Sequence, residues 1–248
     1  MFLGVSLKTY KTPSQTKEYI SKLDKVFEAA RVHDIDFFII PDIVSLGVVP
    51  KSSLPAHVIL GAQDCFWEDN GAYTGTISPK NLSELGVQLV ELGHAEQRRI
   101  FGETDERVAA KAIAAVRNGL TPLLCIGELT ADSRTAISTC IQQIRSITQN
   151  IPDDIELVVA YEPVWAIGQA NPAKPKYVIE VTNGIRAELS KRKGRTRILY
   201  GGSAGPGLFE SLYPSVDGLF LGRFGHNTES VLRVIEEMAQ AKEQQGRS

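Results

Sequence analysis

The stretch Leu157-Val158-Val159-Ala160-Tyr161-Glu162-Pro163-Val164-Trp165-Ala166-Ile167-Gly168 joins an apolar run to a single carboxylate. Leu157 to Ala160 has strand length and carries Val-Val, which suits a strand covered on both faces. Glu162 falls where that strand opens into a loop, and Pro163 holds the next backbone step rigid. A carboxylate on a rigid strand end, beside an apolar segment that can fold over it and exclude water, has the setting of a general base. Such burial raises its pKa toward working pH. The competing reading is a surface glutamate followed by an ordinary loop, since strand ends often carry carboxylates.

The rest of the chain repeats the pattern. Short apolar runs predict eight strands, at Phe2–Ser6, Asp36–Ile40, Val58–Ala62, Gln88–Leu92, Thr121–Ile126, Leu157–Tyr161, Arg197–Tyr200 and Gly218–Leu221. Amphipathic segments follow them. Ile137, Cys140, Ile141, Ile144 and Ile147 fall on one helical face; so do Val178, Val181, Ile185 and Leu189, begun by Pro175. A third face, Val108, Ala112, Ala115 and Val116, stops at Asn118-Gly119. Asn227 can cap a last helix whose core side is Val231, Val234 or Ile235, and Met238, and the polar end from Gln240 to Ser248 is expected to fray. Strict strand-then-helix alternation implies parallel strands. Eight such units in 248 residues have the count and size of a (β/α)₈ barrel, and no linker or charge run divides residues 1–248 into more than one domain. A doubly wound open sheet is the rival. It lacks its glycine-rich fingerprint after the first strand, and the phosphate-type glycines come after the seventh and eighth.

Composition narrows the partners. The chain has 27 basic and 29 acidic residues, a net charge of −2, so neither nucleic acid nor a membrane surface is expected. Any bound anion must be gripped locally. Three cysteines without paired spacing suit reduced thiols and a cytoplasmic location. The start, Met1-Phe2-Leu3-Gly4-Val5, reads as a core strand rather than a leader or a membrane span.

In a barrel the C-terminal strand ends share one rim, which would gather residues distant in sequence. Lys8 follows the first strand, His94 the fourth and Glu162 the sixth; Gly201-Gly202-Ser203 follows the seventh and Gly222-Arg223 the eighth. His94 stands where a strand gives way to a short helix whose positive end favours neutral imidazole, a hydrogen-bond donor to a carbonyl and a proton shuttle. His33, His57 and His226 read as structural. Lys8 can pair with a phosphate and polarise an adjoining carbonyl. Gly201, Gly202, Ser203 and Gly222 offer unobstructed backbone amides to a dianion. A base, a neutral electrophile, a cation and a phosphate cradle suit proton abstraction beside a carbonyl, through an enediolate, on a small phosphorylated sugar. No metal cluster and no nicotinamide or flavin fingerprint stands out, and this chemistry needs no cofactor.

Five stretches then carry a resemblance: Tyr161 to Gly168 above, Phe101-Gly102-Glu103-Thr104-Asp105, Cys125-Ile126-Gly127-Glu128, Gly71-Ala72-Tyr73-Thr74-Gly75 and Tyr200-Gly201-Gly202-Ser203. Along its whole length the chain resembles the triosephosphate isomerase family, the standard example both of this barrel and of a Glu base working with a neutral His. The resemblance implies a TIM barrel with Glu162 as base, His94 as electrophile and Lys8 contacting substrate. It also implies phosphate-binding amides at Gly168, Ser203 and Gly222, a mobile lid from Val164 onward, and a homodimer joined through the Gly71–Thr76 loop. Glu96, Gly201 and Gly202 would support these groups.

The departures lie around the substrate. Where the family usually has Gly-Asn-Trp-Lys-Met-Asn, this chain has Val5-Ser6-Leu7-Lys8-Thr9-Tyr10, so the substrate-contacting Asn is Ser6. The Ser after the active-site His is Ala95. The dimer-loop Glu and its Arg partner are Thr76 and Gln97, so a salt bridge is removed rather than left half-made. A second Gly after the eighth strand is Arg223. The lid's far hinge, Asn171-Pro172-Ala173, is stiffer than usual. The first expectation is interconversion of dihydroxyacetone phosphate and glyceraldehyde 3-phosphate. The alternative is a four-carbon ketose phosphate such as erythrulose 1-phosphate, which would use the room freed at Ser6; a non-catalytic phosphate-binding barrel is more distant.

Overall fold

In the computed structural model, which describes residues 1–246, the chain closes eight parallel strands into a barrel in sequence order. The strands are β1 (Phe2–Ser6), β2 (Asp36–Ile40), β3 (Val58–Ala62), β4 (Leu89–Leu92), β5 (Thr121–Ile126), β6 (Leu157–Tyr161), β7 (Thr196–Tyr200) and β8 (Gly218–Leu221). The last pairing, Phe2 with Gly218 through Val5 with Leu221, joins β8 back to β1 and leaves no free edge.

Strand pleating divides the apolar residues into two cores. Phe2, Phe38, Leu89, Leu123, Val158, Ala160, Leu199 and Phe220 point inward and fill the barrel. Their neighbours Leu3, Phe37, Val90, Leu124, Val159, Ile198 and Leu219 point outward, against the helices. This is why β6 reads as continuously apolar: both of its faces are buried. Barrel interiors are filled rather than hollow. The fit is tight at Gly4, where a Cβ would lie 1.8 Å from Phe38 Cζ.

The expected fold and eight strands are present, with two starts displaced by one residue: β4 begins at Leu89 and β7 at Thr196. In the helix Ser133–Thr148 the buried stripe is Ala136, Cys140, Ile144 and Ile147, while Ile137 and Ile141 sit at its margin. The helix Pro175–Leu189 buries Val178, Val181, Ile185 and Leu189 as expected. Asn227 does cap the last helix, its Oδ1 accepting from Ser230 N at 2.9 Å. The expected fraying from Gln240 is corrected: that helix runs Thr228–Gly246, held by buried Ala239 and Ala241 below the Val231–Met238 face. Residues 247 and 248 lie outside the described residues.

Candidate active site

Glu162 is set by the end of β6. Its N–H donates to Ile126 O at 2.8 Å, and Gly201 N–H donates to Tyr161 O at 3.0 Å, so loops on both sides clamp the turn. The residue is 6% exposed, and its Oε2 is buried without a hydrogen-bond partner among the described residues. Gly201 admits the carboxylate: a Cβ there would lie 2.4 Å from Glu162 Oε1.

His94 caps the helix Ala95–Phe101. The backbone N–H of Glu96 donates to His94 Nδ1 at 3.1 Å, so a neutral ring carries its proton on Nε2. That nitrogen lies 3.4 Å from Glu162 Oε2.

Lys8 reaches the same opening from β1. Its Nζ donates to Glu96 Oε1 at 2.7 Å. Burial works to lower the ammonium pKa, but the Glu96 hydrogen bond and the charges of Glu96, Glu162 and Glu91 outweigh it, so the pKa is raised. Glu96 moves the opposite way: burial is overcome by the hydrogen bond and charge of Lys8, and its pKa is lowered. Lys8 has φ 47°, held in place by Gln63 Nε2 donating to its carbonyl at 2.9 Å. With Ser203, at φ 58°, it is one of two non-glycine residues of this site in the left-handed region that disfavours side chains.

The facing side of the opening is built by β7, β8 and the segment after β6. Ser203 Oγ donates to Ala166 O at 2.8 Å and to Gln169 O at 3.1 Å. Arg223 Nη2 donates to Gln169 O at 2.8 Å, and Ala173 N–H donates to Tyr200 Oη at 3.0 Å. These contacts lay the Val164–Ala173 segment against the mouth. Its base is anchored by Glu128, which is 1% exposed and accepts from Trp165 Nε1, Tyr177 Oη and Tyr161 Oη. A buried carboxylate with that many donors is satisfied and rigid.

Lys8, His94, Glu96, Glu162, Ser6, Gly168, Gly201, Ser203, Gly222 and Arg223 all line one pocket of about 270 Å³. Of the expected site residues only Gly202 lies behind the wall, next to Tyr200 Oη and Pro163. A pocket of this size suits a ligand smaller than a drug molecule. A base, an N–H donor, an ammonium and a rim of main chain face one space, which is the equipment for moving a proton between adjacent carbons beside a carbonyl. Among the described residues no three His, Cys, Asp or Glu side chains are placed to hold a metal ion, and no helix is long and apolar enough to cross a membrane.

Sequence reasoning missed Glu91. It shares the pleat of Leu89, so its side chain enters the barrel, where it is 3% exposed. Its Oε2 accepts from Ser6 Oγ at 3.1 Å, and its Oε1 is 3.9 Å from His94 Nε2. The signal was a lone acid at an inward position of Leu89-Val90-Glu91-Leu92.

The chain matches the family model described as triosephosphate isomerase over residues 1–238. A Pectobacterium atrosepticum protein named L-erythrulose-1-phosphate isomerase is 44% identical over 244 residues, covering 95% of this chain and 94% of that one. A Rhizobium rhizogenes protein of the same name is 39% identical over 248 residues, covering 96% and 94%. An Aquifex aeolicus triosephosphate isomerase is 35% identical over 242 residues, covering 94% and 97%.

Proposed function

The chain belongs to the triosephosphate isomerase family and is a sugar-phosphate isomerase; from that premise we propose that its substrate is L-erythrulose 1-phosphate. The observation that carries this reading is 44% identity, over nearly the whole chain, to a relative bearing that name. It reverses the order of the sequence expectations, which put the triose first. Ser6 supports it: the short side chain leaves room where a longer one would stand. L-Erythrulose 1-phosphate is dihydroxyacetone phosphate with a hydroxymethyl group in place of one hydrogen on its hydroxyl-bearing carbon. The added group has to fit close to the reacting carbons.

In this reading Glu162 takes the proton from carbon 3, and the electron pair moves onto the carbonyl oxygen at carbon 2. His94 Nε2–H donates to the oxygen that becomes negative and moves a proton between the two oxygens of the enediolate. The Lys8 ammonium stabilises the developing charge. Glu162 then returns its proton to carbon 2, leaving the carbonyl at carbon 3, with atoms and electrons conserved. This is the Glu/His division of labour for which triosephosphate isomerase is the standard example. Main-chain N–H groups of Gly168, Ser203 and Gly222 hold the phosphate, with Arg223 adding charge at the rim. Val164–Ala173 closes over them as the lid.

The protein works in this reading as a cytoplasmic homodimer. Its three cysteines are buried and unpaired, as suits a reducing compartment. Apolar side chains at Tyr10, Ile43, Val44, Tyr73, Ile100 and Phe101 are exposed, and all lie in segments following the consecutive strands β1 to β4, on one side of the rim.

The test is turnover of both ketose phosphates by one purified preparation. A larger kcat/KM for L-erythrulose 1-phosphate, with its carbonyl moved to carbon 3, is expected. A larger value for dihydroxyacetone phosphate restores the triose reading.

A further inference from the structure

Ser6 and Glu91 belong to β1 and β4, which are not neighbours in the sheet, and they meet across the barrel interior. Ser6 lines the pocket; Glu91 lies beneath it, out of reach of a ligand. The contact is therefore a hydroxyl with one side toward the substrate and the other toward a buried carboxyl. A hydroxyl has one proton and two lone pairs. When the carboxyl is ionised it can only accept, so the Ser6 proton points down to Glu91 and only lone pairs face the pocket.

We propose that Glu91 is a specificity-determining positioning residue, which turns Ser6 into a hydrogen-bond acceptor for the extra hydroxyl of a four-carbon substrate. This rests on the four-carbon reading above. The remaining contacts of Glu91 do not compete for the role. Cys125 Sγ is 3.8 Å from Oε1, a weak donor at long range, and His94 Nε2 is 3.9 Å away and engaged with the reaction. A carboxylate with one good partner in a buried site is otherwise unfavourable, and a hydrophobic residue would fill the space at lower cost. A site built around hydrogen bonds to a substrate hydroxyl also discriminates far more strongly against an analogue lacking it than an apolar pocket does.

The arrangement carries its own reporter. Facing Glu91 are Ser6 and Lys8 from β1 and its loop, His94 from its own strand end, Cys125 from β5 and Glu162 from β6. Burial raises the Glu91 pKa to about 7; His94, Ser6 and Lys8 oppose the rise and the Glu162 charge assists it. Below that pH the carboxyl donates to Ser6, and the serine proton is free to face the pocket. Acceptor becomes donor. The ratio of kcat/KM for L-erythrulose 1-phosphate to that for dihydroxyacetone phosphate then falls as pH falls. Taking the ratio cancels titrations that affect both substrates alike.

The experiment measures this ratio from about pH 5.5 to about pH 9 for the wild type, Glu91→Gln, Ser6→Ala and the double variant. The wild-type ratio is expected to change by roughly tenfold or more through one titration near neutrality. Both single variants lose that titration, and the double variant changes the ratio no further than either alone, because the two residues act as one unit. Should Glu91→Gln fold poorly, the flat profile of Ser6→Ala decides the matter. A ratio that titrates in Glu91→Gln or Ser6→Ala as it does in the wild type overturns the inference alone. Turnover of neither substrate by the wild type removes the four-carbon reading, and the inference falls with it.

Discussion

The unpartnered Oε2 of Glu162 stands 3.4 Å from Nε2 of His94. This oxygen is buried, makes no hydrogen bond among the described residues and faces the imidazole nitrogen that carries a proton in the neutral ring. A lone pair left free in such a site is available to take a substrate proton, while the adjacent N–H is available to the substrate's oxygens.

Replacing that carboxylate by an amide of the same shape isolates its proton chemistry. Glu162→Gln is expected to lower kcat by about 10²–10⁴-fold, the usual worth of a positioned general base. The unfolding temperature should move by only a few degrees, since the packing is kept. Steady-state kinetics and thermal melts on one preparation check both. Near-normal kcat in this variant excludes Glu162 as the base.

Gly201 makes the second case. A Cβ at this position would stand 2.4 Å from Glu162 Oε1 and 2.7 Å from its Cγ, so Gly201→Ala has to push the carboxylate aside. Displacing a reacting group by about 1 Å costs on the order of 10²-fold in rate. We expect a kcat reduced by about that factor, with KM changed much less, because the main-chain groups proposed to hold the phosphate stay in place. An unchanged kcat would mean that Glu162 has room to move and still reach the substrate.

Much of this site could be read before any coordinates, and the reason lies in the barrel. Once the strands are identified from runs such as Leu157–Ala160, topology alone brings Lys8, His94 and Glu162 to one rim. Each of them follows a strand end and carries a side chain with obvious chemistry. Glu91 escaped notice because a strand buried on both faces is recognised by its apolar residues, and an acid inside it reads as an interruption. Assigning it requires the pleat, and then the partner across the barrel, Ser6, which lies 85 positions away. The contacts of the Val164–Ala173 segment were illegible for a similar reason. Ser203 and Arg223 bind the main-chain oxygens of Ala166 and Gln169, and carbonyl positions are not encoded by residue identity.

The exposed apolar rim makes a prediction about assembly. Tyr73 is 45% exposed at the tip of the Gly71–Thr76 loop, and Phe101 is 66% exposed at the end of the helix after β4. The described residues leave both largely open to solvent. Light scattering on the wild type is expected to give twice the 27.1 kDa of one chain at about micromolar concentration. Phe101→Asp buries a charge in that contact and should give the single-chain mass. A wild-type mass of one chain under these conditions rules out the dimer.

Glu91 also makes stability depend on pH, and the direction is fixed by its pKa. Its carboxyl has an ordinary value of 4.5 and is raised to about 7 in the folded chain, chiefly by burial. Between those two values the unfolded chain has lost the proton while the folded chain keeps it. Fewer protons bound in the unfolded state mean that stability falls as pH rises through this window, and levels off above about 7. The full contribution is therefore present below 4.5 and lost by neutral pH. Glu91→Gln has no such proton to lose. Relative to the wild type it should gain about 1–3 kcal/mol on going from acid to mildly alkaline pH. Denaturant unfolding of both proteins at the two ends of that range measures the difference. If the wild type holds or gains stability over the variant as pH rises, Glu91 is ionised in the fold without penalty, and the serine beside it would then keep its proton turned inward at every working pH.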